Sequence, residues 1–262
     1  MFKKLALCLF LMTAAFRVGA VDYTDIYYIP AESGWGVNVV QSGDNYMFVT
    51  FFIYGPDNKP TWYTAQLTLD SSGNYNGTLY ATTGTFYAMP WRAVDQVTTP
   101  VGTASFQPTS AYTATLVYTV TTPAALAATV TKLIQRQSLT PIAIGGTYVG
   151  GQSGAYSGSG CSSSGPYSDT FDLTVSRSPD GTWNFAFNYT GLQETCTFAG
   201  TLTQFGQLYT IPTTSYKCPD GLNTTASMNE IKATSLGIEG RFSAPSVGGG
   251  CREDATFSAV LK

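Results

Sequence analysis

Along most of this chain, apolar and polar residues alternate in short runs rich in Thr, Val, Tyr and Phe, broken by clusters of Gly, Asn, Asp, Ser and Pro. Alternation with a period of two marks strands that bury one face, and the breaking clusters mark turns. Helical spacing is nearly absent, and only 123–131 (PAALAATVT) has the pattern for a helical turn or two. The pattern predicts strands at 24–29, 36–42, 46–54, 61–70, 75–82, 99–107, 111–120 and 127–136 in the first half. In the second half it predicts 145–150, 169–176, 182–190, 194–204, 207–217, 224–233, 236–243 and 254–261. The polar, glycine-rich stretch 150–165 (GGQSGAYSGSGCSSSG) reads as a surface loop.

The two halves repeat an order of residues. Pro56-Asp57, Thr61-Trp62 and Ala65 are followed by Gly77-Thr78-Leu79 and Pro90, and the same order recurs as Pro179-Asp180, Thr182-Trp183, Ala186, Gly200-Thr201-Leu202 and Pro212. A duplication explains this order better than chance. The expected fold is therefore all-β, with two consecutive antiparallel β domains at 21–140 and 141–262. Each is an up-and-down barrel of lipocalin or avidin shape, or a β-sandwich.

Residues 1–20 read as an export signal. Lys3 and Lys4 precede an apolar run from Leu5 to Met12, and Val18-Gly19-Ala20 offers small residues for cleavage. The apolar run is too short for a permanent bilayer span, so no transmembrane segment is expected. Past residue 20 the chain keeps ten basic and sixteen acidic residues, a formal charge of −6, and four of its five cysteines. Four cysteines in an exported chain read as two disulfides. Of the three pairings, Cys196–Cys218 and Cys161–Cys251 are favoured, the first because it joins neighbouring strands.

Composition excludes several functions. The chain contains no histidine, which removes Ser-His-Asp triads, Cys-His dyads and ordinary zinc sites. An acidic chain with few basic residues is not expected to bind nucleic acid. The Asp-Asn turns fall short of a calcium ligand set, and neither a metal nor a cofactor is expected.

The most distinctive segment is 27–69. Pro30, Glu32, Ser33, Gly34, Trp35, Gly36 and Asn38 are followed by Gly43-Asp44, an aromatic strand, and Pro60-x-Trp62-Tyr63. It resembles a unit of secreted proteobacterial proteins, with Ile29 where that unit has Asn. The resemblance implies export and a β fold and supplies no activity.

In the strand 46–54, Tyr46, Phe48, Phe52 and Tyr54 share one face while Met47, Val49, Phe51 and Ile53 share the other. A strand apolar on both faces is expected to be covered on both, by a core on one side and a second domain or subunit on the other. A sharper alternative places Trp35, Trp62, Tyr63 and Trp91 around a concave site, with Glu32 and Asn38 as polar anchors and Gly34 and Gly36 admitting a flat ligand to the backbone.

Three functions follow as expectations. The first is a non-catalytic binding or adhesion module for a glycan or small apolar ligand. The second is an assembly protein that self-associates through its aromatic faces. The third is a polysaccharide hydrolase using Glu32 with Asp44 or Asp95, two carboxylates in the manner of glycosidases.

Overall fold

The computed structural model describes residues 21–161, 164–245 and 250–262. The expected export signal at 1–20 lies outside the described residues. Two closed, antiparallel, up-and-down barrels follow one another. The first comprises β1 (Asp25–Ile29), β2 (Glu32–Ser42), β3 (Tyr46–Tyr54), β4 (Pro60–Leu69), β5 (Tyr75–Thr83), β6 (Val97–Pro108), β7 (Thr113–Val120) and β8 (Ala128–Arg136), with β8 returning to pair with β1.

The second comprises β9 (Gly146–Ser157), β10 (Gly165–Arg177), β11 (Trp183–Tyr189), β12 (Glu194–Gly200), β13 (Thr203–Phe205), β14 (Leu208–Lys217), β15 (Asn223–Ala233), β16 (Gly237–Pro245) and β17 (Arg252–Leu261). Pairing of β17 with β9 and of β12 with β14 closes its ring of eight, and β13 forms a short hairpin on β14 outside that ring.

Strand alternation becomes inside and outside. In β7 every second residue (Ala114, Leu116, Tyr118, Val120) is buried, and β17 does the same with Glu253, Ala255, Phe257 and Ala259. Eight strands leave room for side chains to fill the interior. Met47, Phe51, Leu67, Leu79 and Phe106 fill the first barrel; in the second Phe185 is buried and Phe187 meets Phe171 and Phe198 edge-to-face. The first barrel's outer wall over β5–β8 carries Thr78, Thr103, Thr115, Thr119 and Thr131. This part of the wall is polar, unlike the lipid-facing band of a membrane-spanning barrel.

Both disulfides, Cys161–Cys251 and Cys196–Cys218, form in the second barrel and at the same end of it. They span 90 and 22 residues. Closing such loops stabilises a fold by roughly 3–5 kcal/mol each in the chain-entropy model.

Three expectations need correction. Residues 150–157 are strand, not loop: β9 runs to Ser157 and pairs on both sides. Its small residues are there because the partner strand lies close, and a Cβ at Gly150 would come within 2.6 Å of Ala259 Cβ. The run 194–204 is two strands, because the chain leaves the β12 ladder at Gly200 and β13 pairs with the other half of β14. The outer face of β3 is uncovered in the chain: Phe48, Phe52 and Tyr54 face solvent, since the second barrel docks at the end of the first and not along its wall. The helical turn expected in 123–131 is a single 3-10 turn at Ala124–Leu126.

The docking rests on Arg136, the last residue of β8, which is 2% exposed. Its guanidinium pairs with Asp25 on β1 at 3.2 Å, donates from Nε to the Ala111 carbonyl at 2.8 Å, and donates to the carbonyls of Thr24 and Asp22. Asp25 in turn accepts the backbone N–H of Gln207 from the second barrel at 3.0 Å. Gly206 lies at φ +60°, and a Cβ there would sit 2.1 Å from the Asp25 carboxylate. Around this centre Tyr112 packs at a tilt against Phe205 with ring centroids 5.1 Å apart, and its hydroxyl accepts the Glu230 N–H at 2.8 Å.

Arg136→Met leaves Asp25 buried without a counter-charge. The expected cost is about 3–5 kcal/mol of folding free energy, read from urea unfolding. A change below about 1 kcal/mol, the scale of exposed pairs, would show the pair to be dispensable.

Candidate functional site

The first barrel has one end sealed by the second barrel and one end open. The open end gathers the last residues of β1, β3, β5 and β7 and the first of β2, β4, β6 and β8. A two-residue turn, Pro30-Ala31, delivers Glu32 to the start of β2, with Ile29 and Glu32 paired across it. Trp35 follows in the inward phase set by Val37 and Val39. Barrel closure then brings β8 beside them and supplies Lys132.

These three side chains form one unit. The Trp35 indole N–H donates to Glu32 Oε2 at 3.0 Å, and Lys132 Nζ lies 2.5 Å from the same oxygen. The ammonium also sits 5.2 Å from the Trp35 ring centroid, within cation–π range. The hydrogen bond from Lys132, helped by its charge and by Trp35, holds the Glu32 carboxyl below the ordinary glutamate value. Beneath the trio, the rings of Phe51 and Tyr118 meet edge-to-face at 5.4 Å, and Tyr63 is buried beside them. The open end is therefore a shallow platform over a filled core.

A loop over residues 84–96 stands at the same end. Thr85 organises it, accepting the Arg92 N–H at 2.8 Å and donating to Asp95 Oδ2 at 3.0 Å. The loop presents Phe86, Tyr87, Met89 and Trp91 outward, with Tyr87 92% and Trp91 72% exposed.

The residues singled out in the sequence thus divide. Glu32 and Trp35 meet directly, Tyr63 lies in the floor, and Trp91 lies on the rim loop. Asn38 and Trp62 point to the outer wall instead, Trp62 beside Phe52 and 51% exposed. Gly36 does not face a ligand: a Cβ there would meet the Tyr27 carbonyl at 2.8 Å, so its bareness serves the approach of β1. Over Gly34 lies the Tyr54 hydroxyl, which donates to the Gly34 carbonyl at 2.8 Å.

Lys132 escaped the sequence reading. The available signal was its place in the inward phase of β8, two residues before Ile134 and four before Arg136, where an apolar residue is the rule.

Of the two carboxylates expected to serve beside Glu32 in a hydrolase, Asp44 is not brought near it. Asp44 sits in the β2–β3 turn at the far end of an 11-residue strand, about 30 Å away at strand rise, whereas glycosidase carboxylates lie roughly 5–10 Å apart. Asp95 is engaged by Thr85 and Arg92. Glu32, held ionised, is poorly suited to donate a proton.

No protein-family model matches the chain, and no curated protein matches it. Among solved structures, it is similar to a "putative outer membrane protein" of Bacteroides fragilis, with 13% identity and a TM-score of 0.33 over 92% of this chain and 97% of the other. It is also similar to a protein of unknown function from the DUF3598 family of Nostoc punctiforme, with 9% identity and a TM-score of 0.25 over 90% and 93%.

Glu32 titration tests the trio. A depressed folded pKa means that the contact stabilises the fold above that pKa and is lost as pH falls through it. The Trp35 indole proton, followed by NMR, is expected to titrate with a midpoint below 4.5 in the wild type and to move up toward 4.5 in Lys132→Met. An unchanged midpoint in the variant would remove Lys132 as the cause.

Proposed function

We propose that this protein is an exported, non-catalytic binding module whose first barrel takes a saccharide at its open end. The observation that carries this reading is the Glu32–Trp35–Lys132 unit. An indole face is held in place by a carboxylate that also binds an ammonium, beside a loop of exposed aromatic side chains. Mouths of β-barrels are common ligand sites. An aromatic face stacks on the apolar side of a sugar ring, while Glu32 and Lys132 offer an acceptor and donors to its hydroxyls.

The filled interior favours a saccharide over a small apolar ligand. A small apolar ligand needs an enclosed cavity, and Phe51, Tyr63 and Tyr118 occupy the space below the platform. A saccharide lying across a shallow surface needs none. The two disulfides support an extracytoplasmic protein.

Residues 21–262 are expected to give a specific hit on a polysaccharide and glycan array. Trp35→Ala is expected to weaken that hit about thirtyfold, the loss of roughly 2 kcal/mol typical of a tryptophan anchor. A hit of equal strength in a folded Trp35→Ala protein would place the ligand elsewhere.

A second reading rests on a separate observation. Val40, Phe48, Phe52, Tyr54 and Trp62 form an exposed apolar strip on the outer wall of β2–β4. Such strips mark surfaces of association, and self-assembly through this wall is compatible with a free open end. Sedimentation velocity is expected to show concentration-dependent dimers that vanish in Phe52→Ser/Trp62→Ser. A strictly monomeric wild type at high concentration would dismiss this reading.

A further inference from the structure

The second barrel also has an open end, the one that carries both disulfides, and a cavity of about 460 Å³ opens there. Ligand pockets of this kind typically measure roughly 300–1,000 Å³. Glu253, in the inward phase of β17, lines it and is 8% exposed. Tyr167 donates its hydroxyl to Glu253 Oε1, and Tyr216 donates to Oε2 at 3.4 Å. Gln152 extends the network, donating to the Tyr167 oxygen at 3.3 Å and accepting the Tyr189 hydroxyl at 3.0 Å. The Tyr156 ring stacks on Tyr167 at 4.9 Å. Asp169, inward on β10, is a second carboxyl lining the same cavity, and Glu194 and Asp220 also line it.

The charges here do not balance. Among the described residues no lysine or arginine lines the cavity, and neither Glu253 nor Asp169 forms an ion pair. Tyrosine hydroxyls satisfy part of the hydrogen-bonding capacity of Glu253 but bring no positive charge. A carboxyl buried to this degree is costly unless a counter-charge arrives or it holds a proton. Burial pushes its proton affinity up from the ordinary glutamate value, with Asp169 adding to the effect.

The Arg136–Asp25 pair shows how this chain neutralises a buried carboxylate elsewhere, with a cation and direct hydrogen bonds. At Glu253 no described lysine or arginine plays that part, and the buried carboxyl lines a cavity. Tyr189 and Tyr216, which line the cavity and donate their protons to Gln152 and Glu253, keep oxygen lone pairs free as acceptors. That arrangement suits the three N–H donors of an ammonium group. Apolar walls at Leu192, Leu222 and Pro245 suit its methylene chain.

We propose that the open end of the second barrel binds a protonated aliphatic amine, with Glu253 and Asp169 as its counter-charges and the tyrosine hydroxyls as further acceptors. This site is separate from the saccharide platform, and neither depends on the other.

Isothermal titration of residues 21–262 with putrescine at pH 8, beside its neutral isostere 1,4-butanediol, tests the proposal. Putrescine is expected to bind and the diol not to. Glu253→Gln is expected to weaken putrescine roughly tenfold or more, while Glu239→Gln on the outer wall leaves it unchanged. Asp169→Asn gives a second reading of the same charge requirement should Glu253→Gln fail to fold. No putrescine binding by the folded wild type, equal binding of the diol, or full binding by a folded cavity variant would overturn the proposal.

Discussion

The buried ion pair between Arg136 and Asp25 closes the first barrel and, through the same carboxylate, anchors the second. Arg136 ends β8 and Asp25 begins β1, so the pair lies on the seam where the last strand meets the first. One Asp25 oxygen then reaches across to the Gln207 N–H, and the only side chain admitted at the neighbouring turn is that of glycine. A buried charge this well satisfied favours one arrangement of the two barrels, because any shift leaves an ion or a backbone donor unpaired. The consequence for function is geometric. One end of the first barrel is sealed, and the other is left open.

What happens at that free end follows from the filled interior. Eight strands enclose just enough volume for the aromatic and aliphatic side chains that the alternation sends inward, so the barrel is a support and not a container. The platform of Glu32, Trp35 and Lys132 is consequently held by a rigid floor, and the aromatic residues that find no place inside are displayed on the rim loop and on the outer wall. The second barrel solves the same problem differently. Its disulfide-bound end keeps a cavity open, and into that cavity it turns carboxyls where the first barrel turns phenylalanine and leucine.

Much of this architecture was legible in the alternation of residues. Strand positions and the all-β class follow from period-two patterns and turn chemistry, which are local; the pairing Cys161–Cys251 spans 90 residues and no local pattern encodes it. Glu32 and Trp35 were legible because three residues separate them and a turn joins them. Lys132 was not, since it lies 100 residues from Glu32 and meets it only through barrel closure. Glycine in 150–157 reads locally as flexibility. In the sheet it marks places where Ala259 and its neighbours press too close for a side chain. Trp62 and Tyr63 are adjacent in sequence yet face opposite sides of the wall, a separation that period two announces once the strand is known. Which side is wet depends on where the second barrel docks, and no local pattern encodes that.

The chain's four tryptophans offer the most direct measurement, because each reports a different part of this account. In a ¹⁵N–¹H spectrum the indole of Trp35 marks the platform, Trp91 the rim loop, Trp62 the outer wall and Trp183 the second barrel. On titration with a saccharide scored as a hit on the glycan array, the Trp35 cross-peak is expected to shift first and furthest, with Trp91 following and Trp183 still. A shift confined to Trp62 or Trp183, with Trp35 unmoved at saturation, would contradict a saccharide site at the open end of the first barrel.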